Sequence, residues 1–289
     1  MELLQQDNYG KILEQLYEIP YNTLFARAVL ELKANGNVWV DNQDNPNTVF
    51  IAHSYGMSLL FGNTDNETFN TSLVDYMSNT NRNRSKYEWL QVYPEEWNDK
   101  LREITKAKII NYTALAVEYS PKELEILIEN YRKNHVIQWR RVNFKYNYNN
   151  KTVTISPKYN IKLIDADTWE KIEGSVIPNY FWKSKEDFMA DGIGYALMSG
   201  NVIVSIAFSS CKFENVLEIG VETSENYRGM GFAKLVCEKL LAYCQENNYI
   251  PIWACKKENI GSYRLAKSLG FEESLILPYY ELVMPPTNT

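Results

Sequence analysis

Residues 225–244, ENYRGMGFAKLVCEKLLAYC, place two glycines, Gly229 and Gly231, one residue apart behind Arg228. Upstream lies VLEIGVET, residues 216–223, whose alternation reads as a strand. Downstream, Phe232, Leu235, Val236, Leu240, Tyr243 and Cys244 recur at i, i+3, i+4 spacing and mark one face of a helix over 231–245. A helix start presents N–H groups without intrahelical partners and a partial positive charge. Glycine lets a ligand approach the backbone where a Cβ would block it. Strand, two-glycine turn and helix therefore read as an anion cradle, most naturally for a pyrophosphate. A tight turn with close helix–sheet packing is the alternative reading. Two familiar cradles are excluded. No G-x-x-x-x-G-K-[ST] occurs, and Lys234 stands where a dinucleotide fingerprint needs its third glycine.

Working outward, NIKLI (160–164) reads as a strand, and DADTWEKI (165–172) as a helix capped by Asp165. SKEDFMADG (184–192) is a short helix between Ser184 and Gly192, and residues 193–213 form a hairpin turned at SGN. IPIWAC (250–255) is a strand, NIGSYRLAKSLG (259–270) a helix ended by Gly270, and FEESLILPYYELV the final strands. The predicted order over the second half is β-α-α-β-β-β-α-β-α-β-β.

The first half alternates as an α/β pattern. Helices are predicted over 9–18, 22–34, 67–79 and 94–104, and strands at NVWV, NTVFIAH, GMSLLFG and KYEWLQVY. His53 reads as a satisfied structural histidine, and Arg82, Arg84 and Lys86 as cations of a solvated loop. The asparagine-rich NFKYNYNNK, residues 143–151, is the expected boundary or connecting hairpin. It divides the chain into 1–150 and 151–289.

The chain has 289 residues, a net charge of -6 and 45% hydrophobic residues, enough for two cores and too acidic for a general nucleic-acid or anionic-membrane binder. The N-terminus does not read as a secretory signal, and no apolar run reaches the roughly 18 residues of a membrane span. Cys211, Cys237, Cys244 and Cys255 form no CxxC pair and only His53 and His135 accompany them, so no metal site is expected. Cys237 and Cys244 are expected to be small core residues, reduced in a cytoplasmic protein.

These motifs together resemble the GNAT superfamily of acetyl-CoA-dependent N-acetyltransferases. NYRGMG (226–231) occupies the family's [Q/R]-x-x-G-x-[G/A] motif, with Asn226 departing at the first position. Asn259, Ser262, Leu269, Gly270 and Phe271 match the second signature, an Asn and a Ser leading a helix that ends L-G-F. FWKSKEDFMADGIGYAL, YRGMGFA, IPIWAC and RLAKSLGF resemble a narrower branch that includes the zwittermicin A resistance acetyltransferase.

The resemblance implies an α/β (α+β) fold. A mixed, mostly antiparallel GNAT sheet flanked by helices occupies the catalytic second half, with a degenerate second copy in the first. It implies acetyl-CoA as co-substrate, a small-molecule primary amine as acceptor and cytoplasmic localisation. Neither a nucleic-acid nor a membrane partner is expected, and a homodimer is compatible with it. Residues 152–289 are expected to hold the whole CoA site. Asn226, Tyr227, Arg228, Gly229, Met230, Gly231 and Phe232 would form the pyrophosphate turn. The backbone of Ile219, Val221 and Thr223 would pair with the pantetheine arm, and Asn259 and Ser262 would line its other side.

Base candidates are Glu218 and Glu222, which share one face of the strand. Either is also readable as a solvated or salt-bridged residue. The family's usual tyrosine acid falls at Ala266, which leaves Tyr263, one turn earlier, as the substitute. A non-catalytic acyl-CoA sensor and a transferase of longer acyl groups are the competing functions.

Overall fold

The computed structural model describes residues 1–82, 84–147 and 159–284. The first half runs β1 (Glu2–Leu3), α1 (Gly10–Tyr17), α2 (Leu24–Leu30), β2 (Gly36–Val40), β3 (Thr48–His53) and β4 (Met57–Gly62). It continues with α3 (Glu67–Met77), β5 (Trp89–Tyr93), α4 (Trp97–Ile104), β6 (Ile109–Asn111), α5 (Tyr112–Glu118), α6 (Pro121–Tyr131) and β7 (Val136–Tyr146). The second half runs β8 (Asn160–Leu163), α7 (Ala166–Trp169), α8 (Lys185–Asp191), β9 (Gly194–Ser199), β10 (Val202–Phe213) and β11 (Val216–Thr223). After the glycine turn come α9 (Phe232–Glu246), β12 (Ile250–Lys256), α10 (Ile260–Leu269) and β13 (Phe271–Glu281).

The caps follow the sequence reading. Asp165 and Ser184 accept the backbone N–H groups of Thr168 and Asp187, and Gly270 ends α10 in the left-handed region at φ +99°. Two expectations are corrected. The C-terminal segment is one strand, bulged between Glu273 and Leu275, because β7 holds it along its whole length. Arg84 is buried rather than solvated. Its Nε and Nη2 donate to the carbonyls of Tyr76 and Met77 at the end of α3, and Nη2 also reaches Val283. The expected 150/151 boundary lies outside the described residues.

All the strands belong to one mixed sheet, and its middle contains an exchange. From β7 the order outward is β12, β11, β10, β9, and from β13 it is β5, β4, β3, β2. The two arms correspond. β4–β5 and β11–β12 are parallel pairs at matching places in the two arms, and a helix follows each member of each pair: α3 and α4, α9 and α10. β12 then pairs with β7 and β5 with β13, antiparallel in both cases. Each half is completed by the last strand of the other.

Both faces are covered. One carries α1, α2, α7 and α8 on a shared core that includes Ile12, Phe25, Ile51, Trp169, Phe188 and Phe208. On the opposite face, α9 and α10 cover the second half and α3 and α4 the first. Cys237 and Cys244 lie in the core beneath α9, and all four cysteines are free and buried. Burial pushes the Cys244 thiol up to about 12, so it stays protonated and unreactive at neutral pH. His53 is buried but only half satisfied: Nδ1 accepts the Tyr55 N–H while Nε2 has no partner, and burial lowers its pKa to about 4, so the ring is neutral.

A fragment of residues 151–289 would lack β7 and expose the facing edges of β12 and β13. It should show no cooperative thermal melt, whereas appending residues 136–146 through a linker should restore one. A cooperative melt of the unextended fragment near that of the whole chain would refute the structural need for the exchange.

Candidate active site

The site begins where β11 and β12 part. They pair only through Val216/Ile250, Leu217/Pro251 and Glu218/Ile252. Beyond Glu218, β11 stays paired with β10 as far as Thr223 but no longer with β12. Ser224 donates to the Val204 carbonyl at 3.1 Å, so the pairs in step with it, Glu222/Ile206 and Gly220/Phe208, share their hydrogen bonds with β10. Ile219, Val221 and Thr223 therefore turn their backbone groups toward the gap. Those of Thr223 are taken: its N–H donates to Glu222, and its carbonyl accepts from Arg228 Nε. The Ile219 N–H is used by the Glu218/Ile252 pairing, so the Ile219 carbonyl and the Val221 backbone remain.

At the open end of the gap stands the glycine turn. Gly229 and Gly231 have φ +78° and +82°, left-handed values that favour glycine. A Cβ at either would meet no other atom within 4 Å, so close packing does not explain them. The Gly231 carbonyl accepts from the Lys234 and Leu235 N–H groups and starts α9. The N–H groups of the first turn before them have no intrahelical acceptor. Asn226 and Tyr227 form a short 3-10 turn, Met230 is exposed, and Phe232 is buried against Tyr227 and Tyr159. Arg228 is spent locally: besides Thr223, it reaches Glu222 through Nη2 at 3.4 Å. Because Arg228 is largely exposed and the separation is long, this pair contributes little stability. The residues present fit a pyrophosphate, with main-chain donors rather than Arg228 as the holding groups.

The other wall is the start of α10. Asn259 caps it by accepting the Ser262 N–H, and Ser262 Oγ accepts from Trp253 Nε1 at 3.1 Å. Tyr263 hydrogen-bonds Glu273, and this bond raises its pKa.

The two glutamates separate. Glu222 Oε2 accepts from Ser175 N, Ser175 Oγ and Val176 N, each at 2.9 Å, while Oε1 faces Thr223 and Arg228. Its carboxylate is filled, and it ties the loop before α8 to β11. Glu218 is nearly enclosed. Its Oε1 accepts from Asn22 Nδ2 at 2.8 Å and stands 3.8 Å from Arg141 Nη2. Burial pushes its carboxyl above the usual range, and the Arg141 charge and the Asn22 hydrogen bond draw it back in part.

Asn22, Arg141, Asn143 and Tyr279 were not read from the sequence as site residues. Val142 and Phe144 pack with α9, so Arg141 and Asn143 face the other side of the sheet, the Glu218 side. Arg141 Nη1 donates to Tyr279 Oη at 3.4 Å. Asn22 and Asn143 line a groove of about 610 Å³ with Tyr21, Lys145, Trp253 and Ser274.

The family model for GNAT acetyltransferases matches residues 14–280. The chain belongs to the GNAT acetyltransferase family. It is similar to an uncharacterized N-acetyltransferase, YdfB, of Bacillus subtilis (strain 168), at 26% identity across 94% of this chain and 96% of that one. Among solved structures it resembles a GCN5-related N-acetyltransferase-like protein from Streptococcus suis 89/1591. That match has a TM-score of 0.67 at 18% identity and covers 96% of this chain and all of the other. A tandem GNAT protein from the clavulanic acid biosynthesis pathway matches with a TM-score of 0.58 at 8% identity over 99% of both chains. This GNAT chain is thus an acyltransferase, and its paired arms agree with a tandem fold. Among the described residues, no helix is long and apolar enough to cross a membrane.

Asparagine tolerates left-handed φ better than valine does. Gly231→Asn should therefore keep the melting temperature of the free protein within a few degrees, and Gly231→Val should lower it. Both should weaken CoA binding, measured by calorimetry, at least tenfold, because the side chain enters the cradle. Normal CoA binding by Gly231→Asn would show that the glycines serve only the turn.

Proposed function

We propose that the protein transfers an acetyl group from acetyl-CoA to the primary amine of a small molecule by direct attack. One observation carries the reading. The parted strands β11 and β12 leave the Ile219 carbonyl and the Val221 backbone facing a gap whose open end is the left-handed glycine turn. In this reading the pyrophosphate takes the main-chain donors around Gly229, Gly231 and Phe232. The pantetheine arm follows β11, with Asn259 and Ser262 on the far side. Acetyl-CoA supplies the activated acyl carbon.

Glu218 is the base. It sits where the strands part, and burial holds its carboxyl above the usual carboxylate range, which makes it a stronger base toward an ammonium. Glu222 is a positioning residue, since its oxygens already accept hydrogen bonds from the 175–176 backbone and Arg228. Tyr263 is not needed as an acid. Its hydroxyl is committed to Glu273, and a thiol with an ordinary pKa of about 8.5 leaves readily as thiolate.

A base works only when deprotonated, so turnover should fall as pH drops through the raised pKa of Glu218. Glu218→Gln should slow turnover about 10²-fold at neutral pH and remove that acid limb, leaving acetyl-CoA affinity nearly unchanged. Glu222→Gln should instead lower the melting temperature. Full turnover by Glu218→Gln across the pH range would place the base elsewhere.

A further inference from the structure

Buried polar side chains normally find hydrogen-bond partners. On the face that carries Glu218, three side chains of β5 and β7 do not. Arg141 Nε, both amide atoms of Asn143 and both amide atoms of Gln91 are enclosed without a partner. Arg141 and Asn143 are alternate residues of β7, and Asn143 lines the groove whose wall also holds Asn22, the partner of Glu218. Gln91 extends the same face on β5, opposite Leu59 and one residue beyond the Leu90/Tyr280 pair.

The charges are as informative as the orphans. Glu218 and Arg141 face each other at 3.8 Å, beyond hydrogen-bond reach, with side chains 9% and 5% exposed. Two buried opposite charges held beyond hydrogen-bond reach of each other leave Arg141 Nε without an acceptor and the Glu218 carboxylate with Asn22 rather than Arg141 as its donor. A guest of net positive or negative charge would bury an uncompensated charge beside them. A guest carrying both charges on neighbouring atoms would satisfy both.

From this geometry we infer that the acceptor is a small zwitterionic amine, an α-amino acid or a close analogue. Its carboxylate accepts from Arg141 Nε and Asn143 Nδ2, and its ammonium donates to Glu218 and Asn143 Oδ1. The inference rests on the reading of Glu218 as base. In the reaction, Glu218 takes one ammonium proton, and the freed nitrogen pair attacks the thioester carbonyl carbon. The new C–N bond forms as the C–S bond breaks, CoA leaves as thiolate with the C–S pair, and the nitrogen loses its second proton to solvent. Arg141 acts on the carboxylate and takes no part in bond making. Tyr21, Asn22 and Arg141 all come from the first half, so that half selects the acceptor.

The test uses the whole chain and a matched panel: free amino acids, the primary amines that lack their α-carboxylates, their methyl esters, and an aminopolyol. Thiol release from acetyl-CoA gives kcat/KM, and calorimetry gives binding with and without CoA. At least one free amino acid should exceed its decarboxylated partner at least 100-fold, mainly in KM. Arg141→Lys should keep part of that preference, and Arg141→Gln should abolish it. Equal or faster turnover of plain amines, esters or the aminopolyol overturns the inference, as does an absence of amino-acid binding. That result in the wild-type protein stands even if a variant fails to fold. Failure to bind acetyl-CoA would instead sink the acetyltransferase reading, and amino-acid binding to the free chain would still uphold the zwitterion site.

Discussion

The pairing of β7 with β13 holds the molecule together. These two long strands end the first and second halves, and each lies inside the other half's arm of the sheet. Without the exchange, β12 and β5 would each present an open edge where the fold needs a partner. With it, the sheet is continuous from β2 to β9. β7 is therefore a structural strand of the second half, although it precedes that half in the chain.

The same exchange builds the candidate active site. β11 can part from β12 beyond Glu218 because each keeps its other neighbour, β10 or β7. β7 then delivers Arg141 and Asn143 to the face where Glu218 stands. Helices α1 and α2 cover that face, and the loop between them contributes Asn22. Removing one partner from a buried pair such as Arg141 and Glu218 typically costs about 3–5 kcal/mol. Enclosed polar groups that lack partners are a local violation of good packing, and such violations concentrate at functional sites.

How much of this was legible in the sequence depended on where apolar periodicity survived. The strand, glycine turn and helix over 216–246 were readable because alternation, two glycines and a 3.6-residue stripe follow one another without interruption. The caps at Asp165, Ser184 and Gly270 were local enough to be read as well. β7 was not recognised as a strand. In VIQWRRVNFKY, Arg141 and Asn143 occupy inward positions, and the break they make in the apolar pattern is what hid it. The pattern also failed at Arg84, whose exposure depends on carbonyls at the end of α3 and on Val283, two hundred residues away in the chain. Glu218 and Glu222 look alike in sequence. The loop carrying Ser175 and Val176 separates them by filling the oxygens of one and not the other.

The central claim is that the seam between the halves forms the acceptor site, with Arg141 from one and Glu218 from the other acting on the same bound amine. A double-mutant cycle tests it most directly. Arg141→Gln, Glu218→Gln and the pair would be compared in kcat/KM for the best acceptor, with each variant shown to be folded. Residues acting on one bound substrate should couple by roughly 1.4 kcal/mol or more, so the double variant should be at least tenfold faster than the product of the single effects. Effects that simply multiply would contradict a shared site.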